Sequence, residues 1–394
     1  MTHQSNANSS MQLVRTSRWL GVACFCSALS LAQTPAQPVP TPEPSAWTYG
    51  GFVDLGYSLD FNHPANRTFR NRGTVWHTDQ PELNMAGAYV KKKPSDSSRW
   101  GMELAVQAGN DSDLFGFSAT APNLAGYRVL RHIGLADVSY IAPIGTGLTV
   151  QAGIFGSLIG YDGLYAKDNL NYTRPWGADL TPYLMTGVNL SYALTPKLTS
   201  TFFEVNGYWH LAHANNVPSS GGQIAYKLSP SMTLKETVLA GPHQSNTSID
   251  YWRFLTDTIF ERKTDRLTVA LEYVYSQERV NTAGNPTALL MAGQMPVRFA
   301  LSKNWSAALR PEVLWDRDGR WSTSRQTVKA LTSTLEYRRP YKNTSAIFRL
   351  EHRYDDSRGP EGGFFRGAEL APGLVALTPT QHLLIAGLIL TFDR

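Results

Sequence analysis

The chain has 394 residues, a formal charge of +5 and only 17% charged residues, whereas glycine, tyrosine and tryptophan are plentiful. This composition is typical of strands and turns. Since no basic run or basic helix is present, the sequence gives no indication of nucleic-acid binding.

The first 46 residues predict an export signal and a linker. Arg15 and Arg18 precede an apolar run from Trp19 to Leu31, and small residues lead to a cleavage site after Ala32. This order is that of a secretory signal peptide, and the run is shorter than the roughly 20 residues of a membrane-spanning helix. Residues 33–46 alternate proline with small and polar residues, which predicts an extended periplasmic linker.

Both cysteines of the chain fall within this leader. Cys24 allows a lipoprotein alternative, but Gly21 occupies the position where leucine is usual. Met11 is an alternative start that leaves a shorter charged region. With Cys24 and Cys26 removed, the mature chain has no disulfide and must obtain its stability elsewhere.

From Trp47 onward, apolar and polar residues alternate almost without interruption. The stretch from Asp137 to Gly156 shows the unit, a β-hairpin with two alternating runs around a Pro/Gly turn. The run from Trp47 to Phe61 is longer than an ordinary strand and has aromatic residues at both ends, which favours a strand facing a lipid bilayer. About sixteen such strands are predicted within residues 47–394.

The connections between these strands fall into two alternating classes. Long ones are 62–81, 110–132, 158–182, 209–220 and 355–380, and short ones are 94–96, 143–147, 195–197, 229–231, 262–265, 303–304 and 339–341. No mature segment is long enough for a membrane helix, and a membrane-spanning sheet must close on itself because lipid cannot satisfy its edge. We therefore predict an all-β fold, a transmembrane antiparallel up-and-down β-barrel with short periplasmic turns and long outer loops.

If the aliphatic and aromatic positions face lipid, the opposite register faces the barrel interior. Charged residues fall consistently on that register, as expected from the cost of charge in a bilayer. The pore-lining residues predicted in this way are Asp54, Glu103, Glu204, Glu272, Arg310, Glu312, Glu336, Arg338, Arg349, Glu351 and Arg353. Bracing of the wall by charge pairs and selection of permeating solutes are both compatible with this arrangement.

Two features do not follow the simple alternation. Glu236 falls on the apolar register, for which a β-bulge is one explanation. The last strand, 381–392, is apolar on both faces, which is consistent with a loop folded against it inside the barrel. The aromatic-rich loops 158–182 and 355–380 are the candidates for folding inward.

Several separate blocks of the sequence resemble the OmpL-like β-barrel porin family. They are GFVDLGYSLDFNHPANRTFR, SYIAPIGTGLTVQAGIFGSLIGYD followed by NLNYTRPWG, LRPEVLWDRDG and FRLEHRYDDS. The resemblance covers nearly all of residues 49–392. It implies a bacterial outer-membrane porin of low substrate specificity, and it supplies no motif-defined binding residues.

Signals for catalysis or metal binding are weak. His210 and His213 lack a third ligand at matched spacing, so a polar loop is favoured. Asp111-Ser112-Asp113 lacks the glycine and distal glutamate of a calcium loop, which favours a solvated turn. Catalytic, cofactor-binding and metal-binding residues are accordingly predicted to be absent.

We therefore expect a passive channel for small hydrophilic solutes and ions in the bacterial outer membrane, not an enzyme, working without a cofactor. Its expected partners are outer-membrane lipid, the permeating solutes and, as an open question, two further copies in a homotrimer. The alternatives are a substrate-selective channel and a membrane-embedded hydrolase or adhesion barrel without an open pore.

Overall fold

The computed structural model describes residues 47–95, 97–116, 121–245 and 249–394. The predicted signal peptide, 1–32, and the predicted linker, 33–46, lie outside the described residues and remain predictions. The described residues, from Trp47 to Arg394, form one compact unit.

Almost every element in this unit is a β-strand. The strands are β1 Trp47–Asp60, β2 Pro81–Lys92, β3 Trp100–Ala108, β4 Ile133–Ala142, β5 Leu148–Gly156, β6 Leu184–Thr195, β7 Leu198–Val205, β8 Ser219–Ser229, β9 Met232–Pro242, β10 Trp252–Lys263, β11 Leu267–Arg279, β12 Thr287–Gln294, β13 Val297–Ala300, β14 Trp305–Asp316, β15 Gln326–Tyr341, β16 Thr344–Arg358, β17 Phe364–Ala371, β18 Leu374–Thr378 and β19 Thr380–Asp393. Short helices occupy Asn110–Gly116, Tyr127–Leu130, Ala166–Asp168 and Ala178–Leu180. None of the helices within the described ranges is long and apolar enough to span a bilayer.

The strands form a closed antiparallel barrel. From β1 to β11 and from β14 to β16, each strand pairs with the next one along the chain, and β19 closes the sheet by pairing with both β16 and β1. β12 and β13 are two parts of one strand, since both lie between β11 and β14 and are separated only by Met295 and Pro296. The barrel therefore has sixteen strands, which confirms the predicted count and fold class.

The two ends of the barrel differ as predicted. Short turns occupy 93–99, 143–147, 196–197, 230–231, 264–266, 301–304 and 342–343, while the connections at the other end are 61–80, 109–132, 157–183, 206–218, 243–251, 280–286, 317–325 and 359–379. β17 and β18 form a separate hairpin within the last of these long connections. We refer to the two ends as the periplasmic end and the outer end.

The outer surface is apolar because side chains alternate between the two faces of each strand. Large exposed aromatic residues lie near both ends of the wall, where the amphipathic rings of tryptophan and tyrosine favour a membrane interface. Those near the periplasmic end include Trp47, Tyr49, Trp100, Tyr140, Tyr226, Trp305 and Phe392, and those near the outer end include Tyr57, Trp252 and Trp315.

Glu204 and Glu236 both place a carboxylate on this apolar surface. Glu204 shares the register of Phe202, which is 50% exposed, whereas its neighbours Phe203 and Val205 are buried inside. The predicted inward position of Glu204 is therefore wrong; its carboxylate faces outward and accepts a 2.6 Å hydrogen bond from the hydroxyl of Ser220. Phe202 and Phe203 are adjacent, so the sequence alone does not show which of the two faces lipid, and the register of this strand is ambiguous.

Glu236 also faces outward, without the bulge that we considered from the sequence. β9 pairs with β10 in continuous register around this residue. Its carboxylate accepts a 2.5 Å hydrogen bond from Thr258, which partly satisfies it at the apolar surface.

Replacing Glu236 with leucine should stabilise the detergent-solubilised monomeric barrel. A carboxylate on the lipid face costs less than the roughly 2–4 kcal/mol of a midplane lysine or arginine, but the cost is still unfavourable. The urea-unfolding midpoint of Glu236→Leu should exceed that of the native chain. Glu272→Leu, a matched change on an inward position, should lower it; a lower midpoint for Glu236→Leu would contradict the lipid-facing assignment.

Candidate functional site

Residues 157–183, between β5 and β6, fold into the barrel and are called the inward segment. Tyr172, Arg174 and Trp176 of this segment are fully buried. They contact the interior faces of β1, β14, β16 and β19 through the bonds described below. This location agrees with the expectation from the sequence for the loop 158–182.

The segment is first attached to β10 and β11. The backbone N–H of Gly160 donates to Asp257 over 2.6 Å, and that of Tyr161 donates to Glu272 over 2.9 Å. Gln294 donates to both Glu272 and Asp162, at 2.5 and 2.7 Å. The carboxylates thus satisfy backbone donors that would otherwise be buried without a partner.

Arg349 on β16 binds the next turn of the segment. Its guanidinium donates to the carbonyls of Ala166, Asn169 and Asn171 over 2.7–3.0 Å. Glu336 on β15 holds the same guanidinium in place at 2.7 Å. The planar guanidinium of Arg349 therefore donates several hydrogen bonds in a fixed geometry, and Glu336 neutralises its charge.

Glu351, also on β16, accepts hydrogen bonds from the centre of the segment. Its carboxylate accepts hydrogen bonds from the backbone N–H groups of Tyr172 and Thr173, at 2.6 and 2.9 Å, and from the hydroxyl of Thr173 at 2.5 Å. Thr334 on β15 adds a fourth bond at 2.6 Å. Hydrogen bonds to a buried ionised acceptor are among the stronger ones in proteins.

Tyr172 lies in a slot made by two glycines. Gly56 and Gly387 are register partners across the β1–β19 seam, and a Cβ atom on either would come within 2.6 Å of the Tyr172 side chain. The phenol donates to Asp54 over 2.6 Å and accepts from Asn84 over 2.7 Å. The apolar inward face of the last strand is thereby explained, because the ring packs against it.

Trp176 is held by a pair of charged residues from β14 and β16. Its backbone N–H donates to Glu312 over 2.5 Å, and its indole N–H donates to Asp355 over 2.8 Å. Arg353 bridges both carboxylates, at 3.0 Å from Glu312 and 2.8 Å from Asp355. Arg310 completes the cluster by donating to the carbonyl of Thr173 over 2.6 Å.

The outer loops hold the segment from the opposite side. Arg174 pairs with Asp111 at 2.9 Å, and Asp179 pairs with Arg72 at 3.0 Å. Asp111 also accepts from the backbone of Val75. Asp111 and Ser112 are thus buried, and the solvated turn predicted there is wrong.

Burial raises the pKa of Asp111 from 3.8 to about 7, although Arg174 and the Val75 N–H favour its ionised form. Because the pKa of this carboxyl group is higher in the folded state than in the unfolded state, folding takes up a proton between the two pKa values. The contribution of Asp111 to the free energy of unfolding is therefore greatest below pH 3.8 and falls as the pH rises to about 7. Asp111→Asn, which cannot titrate, should therefore show a weaker fall in thermal midpoint across this window. Equal slopes in the two proteins, measured by circular dichroism, would contradict this assignment; Asp113→Asn, an exposed neighbour, is the control.

The remaining predicted residues lie elsewhere in the interior. Glu103 faces inward near the periplasmic end and pairs with Lys91 at 2.5 Å. Arg338 is on the inward register of β15 but remains largely exposed, 3.4 Å from Glu336. Much of the loop predicted at 355–380 is directed outward, since Leu370 and Leu374 are exposed, but Phe364 and Asp355, which ends up on β16, both contact Trp176.

Sequence reasoning missed several residues of this site. Asp257 follows the same alternation as the predicted residues and could have been found from it. Arg72, Asp111 and Asp179 lie in irregular loops, where no period tells which side chains turn inward.

The interior contains cavities on both sides of the inward segment. Two cavities of about 530 and 360 Å³ lie toward the periplasmic end, and one of about 270 Å³ lies beside the base of the inward segment, near the outer ends of β5 and β6; all three have Asp168 as a lining residue. A cavity of about 330 Å³ lies at the outer end, beside Arg72, Trp76 and Trp321. The outer cavity shares no described lining residue with the other three, so the inward segment and its partners separate them.

Residues 47–392 match the family described as "Putative beta-barrel porin-2, OmpL-like". The chain belongs to this porin family. Together with the closed sixteen-strand barrel, this membership identifies a porin and confirms the resemblance found in the sequence. A comparison with curated proteins finds no match.

Several solved structures, among them a porin, have the same fold at low sequence identity. An anion-selective porin from Comamonas acidovorans is 9% identical with a TM-score of 0.57, over 88% of this chain and 99% of that one. OmpF of Salmonella typhi, in complex with daunomycin, is 11% identical with a TM-score of 0.54, over 88% and 97%. A trimer form of OmpT from Vibrio cholerae is 8% identical with a TM-score of 0.50, over 88% and 99%.

The residues considered for metal binding do not form such a site. Within the described ranges, no group of three or more His, Cys, Asp or Glu side chains is placed to hold a metal ion. His210 is buried edge-on against Phe115, and burial lowers its pKa to about 3. It is therefore a neutral packing residue rather than an exposed polar one.

Proposed function

We propose that this porin is a passive channel for small hydrophilic solutes and ions in the bacterial outer membrane, and that the inward segment sets its narrowest point. The main support for this proposal is that residues 157–183 are bonded to charged side chains inside the barrel, with cavities on the periplasmic and outer sides of this segment. Asp54, Glu272, Arg310, Glu312, Glu336, Arg349, Glu351 and Arg353 then determine the channel by fixing this segment, whereas Glu103 and Arg338 line its periplasmic end.

This assignment gives the lumen charges a defined role. The eight buried groups that fix the segment are all engaged in bonds to it or to one another, so they brace the wall and leave little free charge at the constriction. Permeating solutes pass beside the segment without a cofactor or an energy source. Selectivity then depends on charges that remain free near the cavities.

Single-channel recording of the mature protein in a planar bilayer tests the proposal. We expect discrete, ohmic current steps in KCl. A folded and inserted protein, verified by heat-modifiable migration in gel electrophoresis, that shows no steps at any voltage would contradict the channel and return attention to hydrolase and adhesion activities.

We further propose that the barrels assemble as homotrimers, a state supported by the trimer form of the structurally similar OmpT. Native mass spectrometry of protein extracted in a mild detergent should show a mass of three mature chains. A single-chain mass under conditions that preserve a known trimeric porin would contradict this state.

A further inference from the structure

The cavity of about 360 Å³ at the periplasmic end has an uneven distribution of free charge. Its basic lining residues are Lys167, Lys235, Lys263, Arg298, Arg338 and Arg349, and its acidic ones are Asp162, Asp168, Glu261 and Glu336. The difference in number is small. The acidic residues all have ion-pair or hydrogen-bond partners, whereas, within the described part of the chain, three of the basic residues take part in no ion pair.

The carboxylates of this cavity are already bound. Glu336 binds Arg349 at 2.7 Å, Asp168 binds Lys167 at 2.9 Å, and Asp162 accepts from Gln294 at 2.7 Å. Glu261 accepts a 2.8 Å hydrogen bond from the phenol of Tyr161. Glu336 and Asp168 are therefore paired with cations, whereas Asp162 and Glu261 accept hydrogen bonds from neutral side chains.

Three cations of the same cavity have no such partner. Among the residues that the structure describes, neither Lys235, Lys263 nor Arg298 takes part in an ion pair; Arg298 only donates to the hydroxyl of Ser306 over 3.2 Å. Both lysines have exposed side chains and line this cavity. With six basic and four acidic lining residues, the formal charge of the cavity lining is positive.

The strand register places two of these cations on either side of a hydroxyl. Lys263 on β10 and Arg298 on β13 are both register partners of Thr268 on β11, and all three line the cavity. Neighbouring strands are about 4.8 Å apart, so the two long side chains can converge on a ligand above Thr268. An ammonium, a guanidinium and a hydroxyl together match a ligand with several anionic oxygens.

We propose that Lys263, Thr268 and Arg298, in a cavity also lined by Lys235, form a binding site for a small anion that carries at least two anionic oxygens, such as phosphate or a dicarboxylate. If the protein is the proposed channel, this site makes small anions its solute class. Anion binding itself does not depend on the channel function; only a role of the site in transport does. Its volume accommodates a small organic anion. The site raises the local concentration of anions at the periplasmic end of the lumen.

The direct test measures phosphate binding to the folded barrel in detergent by isothermal titration calorimetry. Lys263→Gln combined with Arg298→Gln should weaken phosphate binding by roughly tenfold or more, since two charge contacts are lost. Lys329→Gln, which removes a positive charge from the outward face of β15, should leave binding unchanged. Absence of phosphate binding to the native barrel, or equal binding by the double variant, would overturn the site.

A second measurement separates this site from the channel itself. In a KCl gradient, the reversal potential of the native channel should indicate a preference for chloride, and periplasmic-side phosphate should reduce the current; both effects should decrease in the double variant. A conducting channel without these effects would overturn the inference and leave the channel function standing. Phosphate binding by a barrel that never conducts would support the site and contradict the channel.

Discussion

Glu351→Leu should release the inward segment and increase the single-channel conductance. This carboxylate accepts two backbone N–H groups and two hydroxyls in a fully buried position. Each buried donor left without an acceptor costs about 1–3 kcal/mol. Because about 1.4 kcal/mol changes an equilibrium tenfold, the loss of several such bonds is enough to populate a detached segment.

The measurement is the distribution of conductance levels in planar bilayers. Glu351→Leu should show a higher mean level, with transitions between levels as the segment leaves and returns. Glu351→Gln, whose amide oxygen can keep part of the bonds, should fall between the variant and the native chain. Glu103→Leu removes a carboxylate from the lumen without touching the segment, and the proposed constriction fails if this control raises the conductance equally.

Gly387→Leu should expel the Tyr172 ring from its slot and open the channel by a different route. A Cβ atom at this position would lie 2.6–3.1 Å from three atoms of the ring. The ring cannot move aside cheaply because its hydroxyl is bonded to both Asp54 and Asn84. Overpacking of a buried site costs typically 1–3 kcal/mol, and detaching the segment avoids that cost.

Conductance and proteolysis together check this prediction. The variant should have a higher conductance, and the inward segment of its detergent-solubilised form should become cleavable by a protease, whereas the native segment is protected. Gly156→Leu is the matched control, since a Cβ at Gly156 meets no atom within 4 Å. An unchanged conductance with a protected segment would show that the wall adjusts around the larger side chain instead.

The channel wall was predictable because its signal is repeated along the whole chain. A membrane-spanning strand must place apolar side chains on one face, so the alternation from Trp47 onward determines the strands and which residues face inward. The sequence also determined the closed barrel, because long and short connections alternate and lipid tolerates no open sheet edge. Glu204 was misplaced where two adjacent phenylalanines gave the strand no single apolar face.

What the tertiary structure alone decided is the arrangement inside the wall. The sequence identified Arg310, Arg349, Glu351 and Arg353 as inward residues. It did not show that they bind a segment that lies 137 to 183 positions earlier in the chain. Irregular segments have no period, and their buried polar groups are satisfied by whichever side chains the fold brings near. The fate of each lumen charge, paired in the constriction or free in the periplasmic cavity, therefore depends on contacts between strands and loops that only the closed barrel creates.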